Sequence, residues 1–99
     1  MENYQYNDNN GIISCEGLSE RFTSSENIIF SSLFSHKGFL VNTNTIMAAL
    51  YGGLEERSLS VLHSFVYKIN KKIERTCINL KVSSIKNRGY ILIIYSRPS

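Results

Sequence analysis

The period of the apolar positions changes along the chain, and the changes mark out its elements. Residues 4 to 22 break into short apolar pieces between turn formers: Tyr4 to Tyr6, Asn7-Asp8-Asn9-Asn10-Gly11, Ile12 to Cys15, Glu16-Gly17, and Leu18 to Phe22. Asn-Asn-Gly and Glu-Gly supply the positive φ that tight hairpins require. The spacing predicts a small antiparallel meander, with strands too short to be stable without something packed on them. Thr23-Ser24-Ser25-Glu26 then reads as a capping box, which starts a helix with Ile29, Phe30 and Leu33 on its core side. His36-Lys37-Gly38 marks its end, with cationic residues near the last turn and a glycine past it. Phe39-Leu40-Val41 is long enough only for a bridging strand. Asn42 is placed to cap a second helix, which buries Ile46, Met47 and Leu50 and stops at Gly52-Gly53. Ala48 and Ala49 are small, so another helix can approach closely.

The most regular pattern follows the loop Leu54-Glu55-Glu56-Arg57. Leu59, Leu62, Val66, Ile69 and Ile73 are spaced 3, 4, 3 and 4 apart, which defines an amphipathic helix with one narrow buried seam. Val61, Ser64, Phe65, Lys68, Lys71, Lys72 and Arg75 form a separate stripe, basic toward its C-terminal end and carrying an aromatic residue among polar ones. From Ile78 the period becomes 2, through Leu80 and Val82, and the chain closes on the apolar run Ile91 to Ile94. Asn87-Arg88-Gly89 predicts the turn of a terminal hairpin, with Lys86 and Arg88 at its tip. Val61 to Ile73 and Val82 to Ile93 are thus the two elements that stand out.

Composition sharpens this picture only in part. A chain of 99 residues with 42% apolar content has room for one modest core, so residues 1–95 read as a single domain and 96–99 as a tail. The net charge of +3 hides an asymmetry: residues 1 to 56 hold Arg21 and Lys37 against seven carboxylates, whereas from Arg57 onward nine Lys or Arg oppose Glu74 alone. Such a basic half predicts an anionic partner, nucleic acid being the commonest, with a merely solvated helix face as the alternative. Cys15, Cys77, His36 and His63 have no metal-ligand spacing, and neither a metal nor a cofactor is expected. There is no glycine-rich phosphate loop and no Ser-His-acid set, so the chain reads as a non-enzyme. The N-terminus has no basic region followed by an apolar stretch, and the longest apolar run, Tyr90 to Tyr95, is far short of a membrane span of about 20 residues. A cytoplasmic protein with no membrane contact is expected.

Two helices, a basic amphipathic helix and a hairpin with a cationic tip form a DNA reader in outline. A helix fits the major groove, and a narrow hairpin carrying Lys or Arg reaches the adjacent minor groove. The element order, together with Phe22-Thr-Ser-Ser-Glu26, Gly38-Phe-Leu-Val41, Leu50-Tyr-Gly52, Leu62-His-Ser-Phe-Val-Tyr-Lys-Ile-Asn-Lys-Lys-Ile73 and Val82-Ser-Ser-Ile-Lys-Asn-Arg-Gly-Tyr-Ile-Leu92, resembles the OmpR/PhoB-type winged-helix effector domain. The resemblance runs from about Tyr4 to Ile93. That family's helix ends Leu-Arg-Lys-Lys-Leu where this one ends Ile69-Asn-Lys-Lys-Ile73. Its wing reads Ile-x-Thr-Val-Arg-Gly-x-Gly-Tyr-x-Leu, of which Gly89-Tyr90 is kept.

What the resemblance implies is an α+β winged helix-turn-helix: a four-stranded N-terminal sheet, three helices and a C-terminal hairpin wing. It also implies sequence-specific regulation of transcription by binding double-stranded DNA, usually as a homodimer on direct repeats. By position, Ser64, Phe65 and Lys68 would face bases, Tyr67, Lys71 and Lys72 would lie nearer phosphates, and Lys86 with Arg88 would serve the wing. The Gly52 to Arg57 loop corresponds to a segment that contacts RNA polymerase in some members. His63 stands where aspartate is usual, Asn70 where arginine is frequent, and Asn87 where the wing's first glycine stands. With neither a receiver domain nor a membrane segment in the chain, switching is expected to come from expression level, a partner or dimerisation. The competing function is a degenerate winged helix that binds a regulator or polymerase subunit without reading DNA. Phe65 and Tyr67 have their own alternative, as residues covering the edge of the core.

Overall fold

A computed structural model describes residues 4–52, 59–76 and 79–95, with the backbone alone for Leu59. The expectations for the Gly52 to Arg57 loop beyond Gly52, for the Leu59 side chain, for Cys77 and Ile78, and for the 96–99 tail lie outside the described residues. The meander is present as β1 (Tyr4–Asn7), β2 (Ile12–Cys15) and β3 (Leu18–Arg21), paired in that order and all antiparallel. Glu16 and Gly17 both have positive φ, at 49° and 87°, which is what a two-residue hairpin between Cys15 and Leu18 needs. Residues 4 to 21 hold three strands rather than the four that the resemblance implies, because two tight turns leave room for only three four-residue strands.

The meander is packed onto α1 (Ser24–Ser35) by an aromatic cluster. Tyr6 meets the Phe30 ring edge-on at 4.7 Å between centroids, and Phe22 lies 4.7 Å from Phe30. The capping box is complete: the Thr23 hydroxyl accepts from the Glu26 amide, and the Glu26 carboxylate accepts from the Thr23 amide at 2.8 Å. Ile29, Phe30 and Leu33 are fully buried, as the spacing predicts.

Of the predicted bridging strand only β4 (Val41–Asn42) forms, and Phe39 and Leu40 before it are exposed. Asn42 caps α2 (Thr43–Tyr51), its side chain accepting from the Asn44 amide at 2.7 Å, and Gly52 ends the helix in the left-handed conformation. Ile46 is buried, and Met47 and Leu50 pack against the core from its edge. Ala48 and Ala49 face solvent rather than the helix their size would admit: the inward face of α2 is set by Ile46 and Leu50, and these two fall on its other side.

The seam helix is α3 (Leu59–Arg75), two residues longer at each end than the Val61 to Ile73 expectation. Leu62, Val66, Ile69 and Ile73 are all buried, each contributing on the order of 2 kcal/mol by leaving water. The terminal hairpin is β5 (Leu80–Ile85) and β6 (Gly89–Ile94), joined by a turn over Lys86 to Arg88. β4 pairs with β6 on the side away from β5, so the wing belongs to a three-stranded sheet in the order β4-β6-β5. Leu80, Val82, Tyr90 and Leu92 turn inward beneath α3, while Ser84 is exposed.

Candidate nucleic-acid interface

At about 100° per residue, the buried seam of α3 leaves Ser60, Ser64, Tyr67, Lys68, Lys71 and Arg75 on the opposite face, and all six are exposed. Tyr67 is the most open aromatic of the helix at 63% exposure, and Lys71 Nζ lies 5.4 Å from its ring centroid. That arrangement holds an ammonium and a π face side by side at the surface. Lys71 also reaches Glu74 at 3.5 Å, an exposed pair of little energetic consequence.

The two flanks of α3 have different tasks. On the flank toward α1 and β3, Lys72 Nζ lies 2.6 Å from the buried Glu26 carboxylate and 2.8 Å from the Arg21 carbonyl oxygen. Burial pushes the Glu26 carboxyl up, but the Lys72 hydrogen bond, the Thr23 amide and the Lys72 charge outweigh it, and the group titrates below its ordinary value. Lys72 is therefore engaged within the protein, which differs from the phosphate-facing position the resemblance implies. Arg75, one turn on, reaches Glu20 of β3 at 3.3 Å. Phe65 on this flank is half-buried and packed on the core, so it matches the core-edge alternative while its remaining surface borders a groove shared with Lys68 and Thr23.

On the flank toward the wing, both ends of the Asn70 carboxamide are engaged. Its Nδ2 donates to the Val82 carbonyl oxygen and its Oδ1 accepts from the Val82 amide, both at 2.9 Å. β5 is an edge strand, and this clamp satisfies both backbone groups of Val82 on its open side. Two turns earlier, Tyr90 Oη and His63 Nδ1 are 2.9 Å apart. Burial pushes the Tyr90 phenol up, so it remains protonated, and the imidazole tautomer sets which of the two groups donates. The turn itself is closed by the Arg88 amide donating to Ile85 O at 3.0 Å, and the Thr43 amide at the start of α2 donates to Arg88 O at 3.2 Å.

The wing turn thus stands on three supports, one from each of α2, α3 and β4. The last is a close crossing: the register pairs Asn42 with Gly89, and Val41 O sits where a side chain at Gly89 would begin. Asn87 holds φ at 62°, a conformation asparagine tolerates better than most residues, so the turn does not require glycine there. Lys86 and Arg88 project from this turn, exposed, and with Lys68 they make no ion pair with any described residue.

The seam, the stripe and the cationic tip are visible in the sequence, whereas His63 and Asn70 stand out there only as departures from a family pattern. A signal was available for Asn70. Asparagine is a poor mid-helix residue, and one facing a period-2 strand is placed to bond its backbone. Among the described residues no group of His, Cys, Asp and Glu is placed to hold a metal ion, and no helix is long and apolar enough to cross a membrane.

No family model matches the chain, and no curated protein matches it by sequence. Solved structures do match. The C-terminal domain of the nisin resistance regulator NsrR, a lantibiotic response regulator, superposes with a TM-score of 0.76 at 18% identity over 97% of both chains. The DNA-binding domain of the response regulator AdeR, solved in complex with an intercistronic region, gives 0.76 at 17% identity over 96% of this chain and 98% of that one. The DNA-binding domain of Bacillus subtilis CssR gives 0.76 at 22% identity over 90% and 98%. The α+β arrangement of three helices and a hairpin wing expected from the OmpR/PhoB-type resemblance is the one observed: this chain has the winged-helix fold of response-regulator DNA-binding domains.

Proposed function

We propose that this protein is a transcriptional regulator that binds double-stranded DNA, with α3 in the major groove and the Lys86 to Arg88 turn in the adjacent minor groove. The observation that carries the reading is that an exposed cationic stripe on α3 and an exposed cationic wing tip belong to elements tied directly to each other by the Asn70–Val82 and His63–Tyr90 hydrogen bonds. The stripe is Ser64, Tyr67, Lys68 and Lys71. Ser64 and Lys68, central on the stripe, are assigned to base edges, and Tyr67 with Lys71 to the flanking phosphates. Phe65 offers its free edge to a thymine methyl, and Lys72 ties the flank of α3 to Glu26. The shared fold supports the reading, since AdeR is seen bound to an intercistronic region and RstA of Klebsiella pneumoniae to its RstA box. A second copy on a neighbouring half-site, and RNA polymerase, are the protein partners this function brings with it.

The test is fluorescence anisotropy on a mixed-sequence duplex of about two helical turns (~20 base pairs) across a salt series. Four phosphate contacts give log K against log salt a slope of roughly −3.6, and each lysine removed makes it shallower by about 0.9. Lys68→Ala and Lys86→Ala should each weaken binding and reduce the slope. Absence of binding at low salt, or indifference to both substitutions, would favour the interaction module that contacts a protein and not DNA.

A further inference from the structure

We propose that Asn70 and His63 act as positioning residues that lock the wing to α3, so that helix and wing engage one duplex as a unit. The inference rests on the DNA-binding reading above. Asn70 takes both backbone groups of Val82 at 2.9 Å, and Tyr90 reaches His63 Nδ1 at 2.9 Å, so two side chains on one flank of α3 hold both wing strands. They lie seven residues apart, two turns of helix, and so fix an angle as well as a distance. Neither side chain lies on the stripe opposite the seam, so neither is needed as a contact for the locking to act. A two-point grip matters because the wing's contribution depends on geometry. If the wing swings freely, the ordering of that element on DNA offsets the gain from Lys86 and Arg88. Locking the angle in advance removes that cost. The residues that interrupt the expected Asp and Arg positions thereby gain a role as supports for the second contact element.

The prediction is coupling between sites that do not touch. In the wild-type chain Lys86→Ala should weaken duplex binding roughly fivefold at low salt. With Asn70→Ala or Tyr90→Phe in place, the same Lys86→Ala substitution should cost less than about twofold, because the wing no longer arrives pre-positioned. Lys68→Ala, on the helix itself, should keep its full cost in both backgrounds. Tyr90→Phe removes only a hydroxyl and provides the measurement even if Asn70→Ala does not fold. A loss of stability without this selective loss of coupling would reduce both residues to structural supports. Lys86→Ala costing the same in every background, while Lys68→Ala still weakens binding, would overturn the lock alone. If neither lysine matters in the wild-type chain, the DNA-binding reading fails and the lock with it.

Discussion

Gly89→Ala is expected to destabilise the domain by about 3 kcal/mol or more, far beyond what a single methyl group usually does. A Cβ at this position would fall 2.0 Å from the Val41 carbonyl oxygen, 2.9 Å from its carbon and 3.0 Å from Asn42 Cα. All three are backbone atoms, so no rotamer change relieves the clash. Relief would have to come from displacing β4, which holds the buried Val41 on one side and the N-cap of α2 on the other. In thermal denaturation the loss corresponds to a fall in Tm of roughly 15 °C. Gly38→Ala is the internal control: its φ is +87° but nothing lies within 4 Å of the added carbon, so it should cost only about 1 kcal/mol. Equal Tm values for the two variants would contradict the close crossing at Gly89.

The second large effect is at Lys72. Lys72→Met keeps the aliphatic stem but removes the charge, leaving the Glu26 carboxylate, whose side chain is 2% exposed, without its cation. A loss of about 2 to 4 kcal/mol is expected at pH 7, because breaking one side of a buried pair strands the other charge. The pH dependence has a definite sign. Glu26 titrates in the folded protein below its ordinary value of 4.5, so its contribution is full above that pH and is lost as pH falls through the depressed value. The deficit of Lys72→Met relative to wild type should therefore shrink as the pH is lowered through this range. Adding Glu26→Gln, which keeps an acceptor for the Thr23 amide, should recover part of the loss at pH 7. If instead Lys72→Met leaves stability unchanged and weakens only DNA binding, Lys72 belongs with the phosphate contacts that the family resemblance implied.

The fold was largely legible because its signals are local. The 3, 4, 3, 4 spacing from Leu59 to Ile73, the Thr23 to Glu26 box and the Asn42 cap each depend on residues within a few positions of one another. What was not legible depends on partners far apart in sequence. Nothing near Asn70 announces Val82, and nothing near Lys72 announces Glu26, 46 positions away. Gly89 stands in the sequence as part of a motif, but its reason is the passage of Val41 across it, which only the folded sheet brings about. Phe65 illustrates the same limit. A helical wheel places it off the seam, whereas packing from the α1 side half-buries it and leaves only an edge for any ligand. The exposed stripe could be read from the chain; which of its cations are already engaged could not.

The central claim is that α3 and the wing together form the DNA-facing surface, and amide chemical-shift mapping of the whole chain against a mixed-sequence duplex tests it most directly. Two contiguous sets of perturbed amides are predicted, one along residues 61–71 and one over residues 85–90, with the N-terminal strands at residues 4–21 unaffected. Perturbations confined to the N-terminal sheet, or no perturbation at low salt, would contradict it.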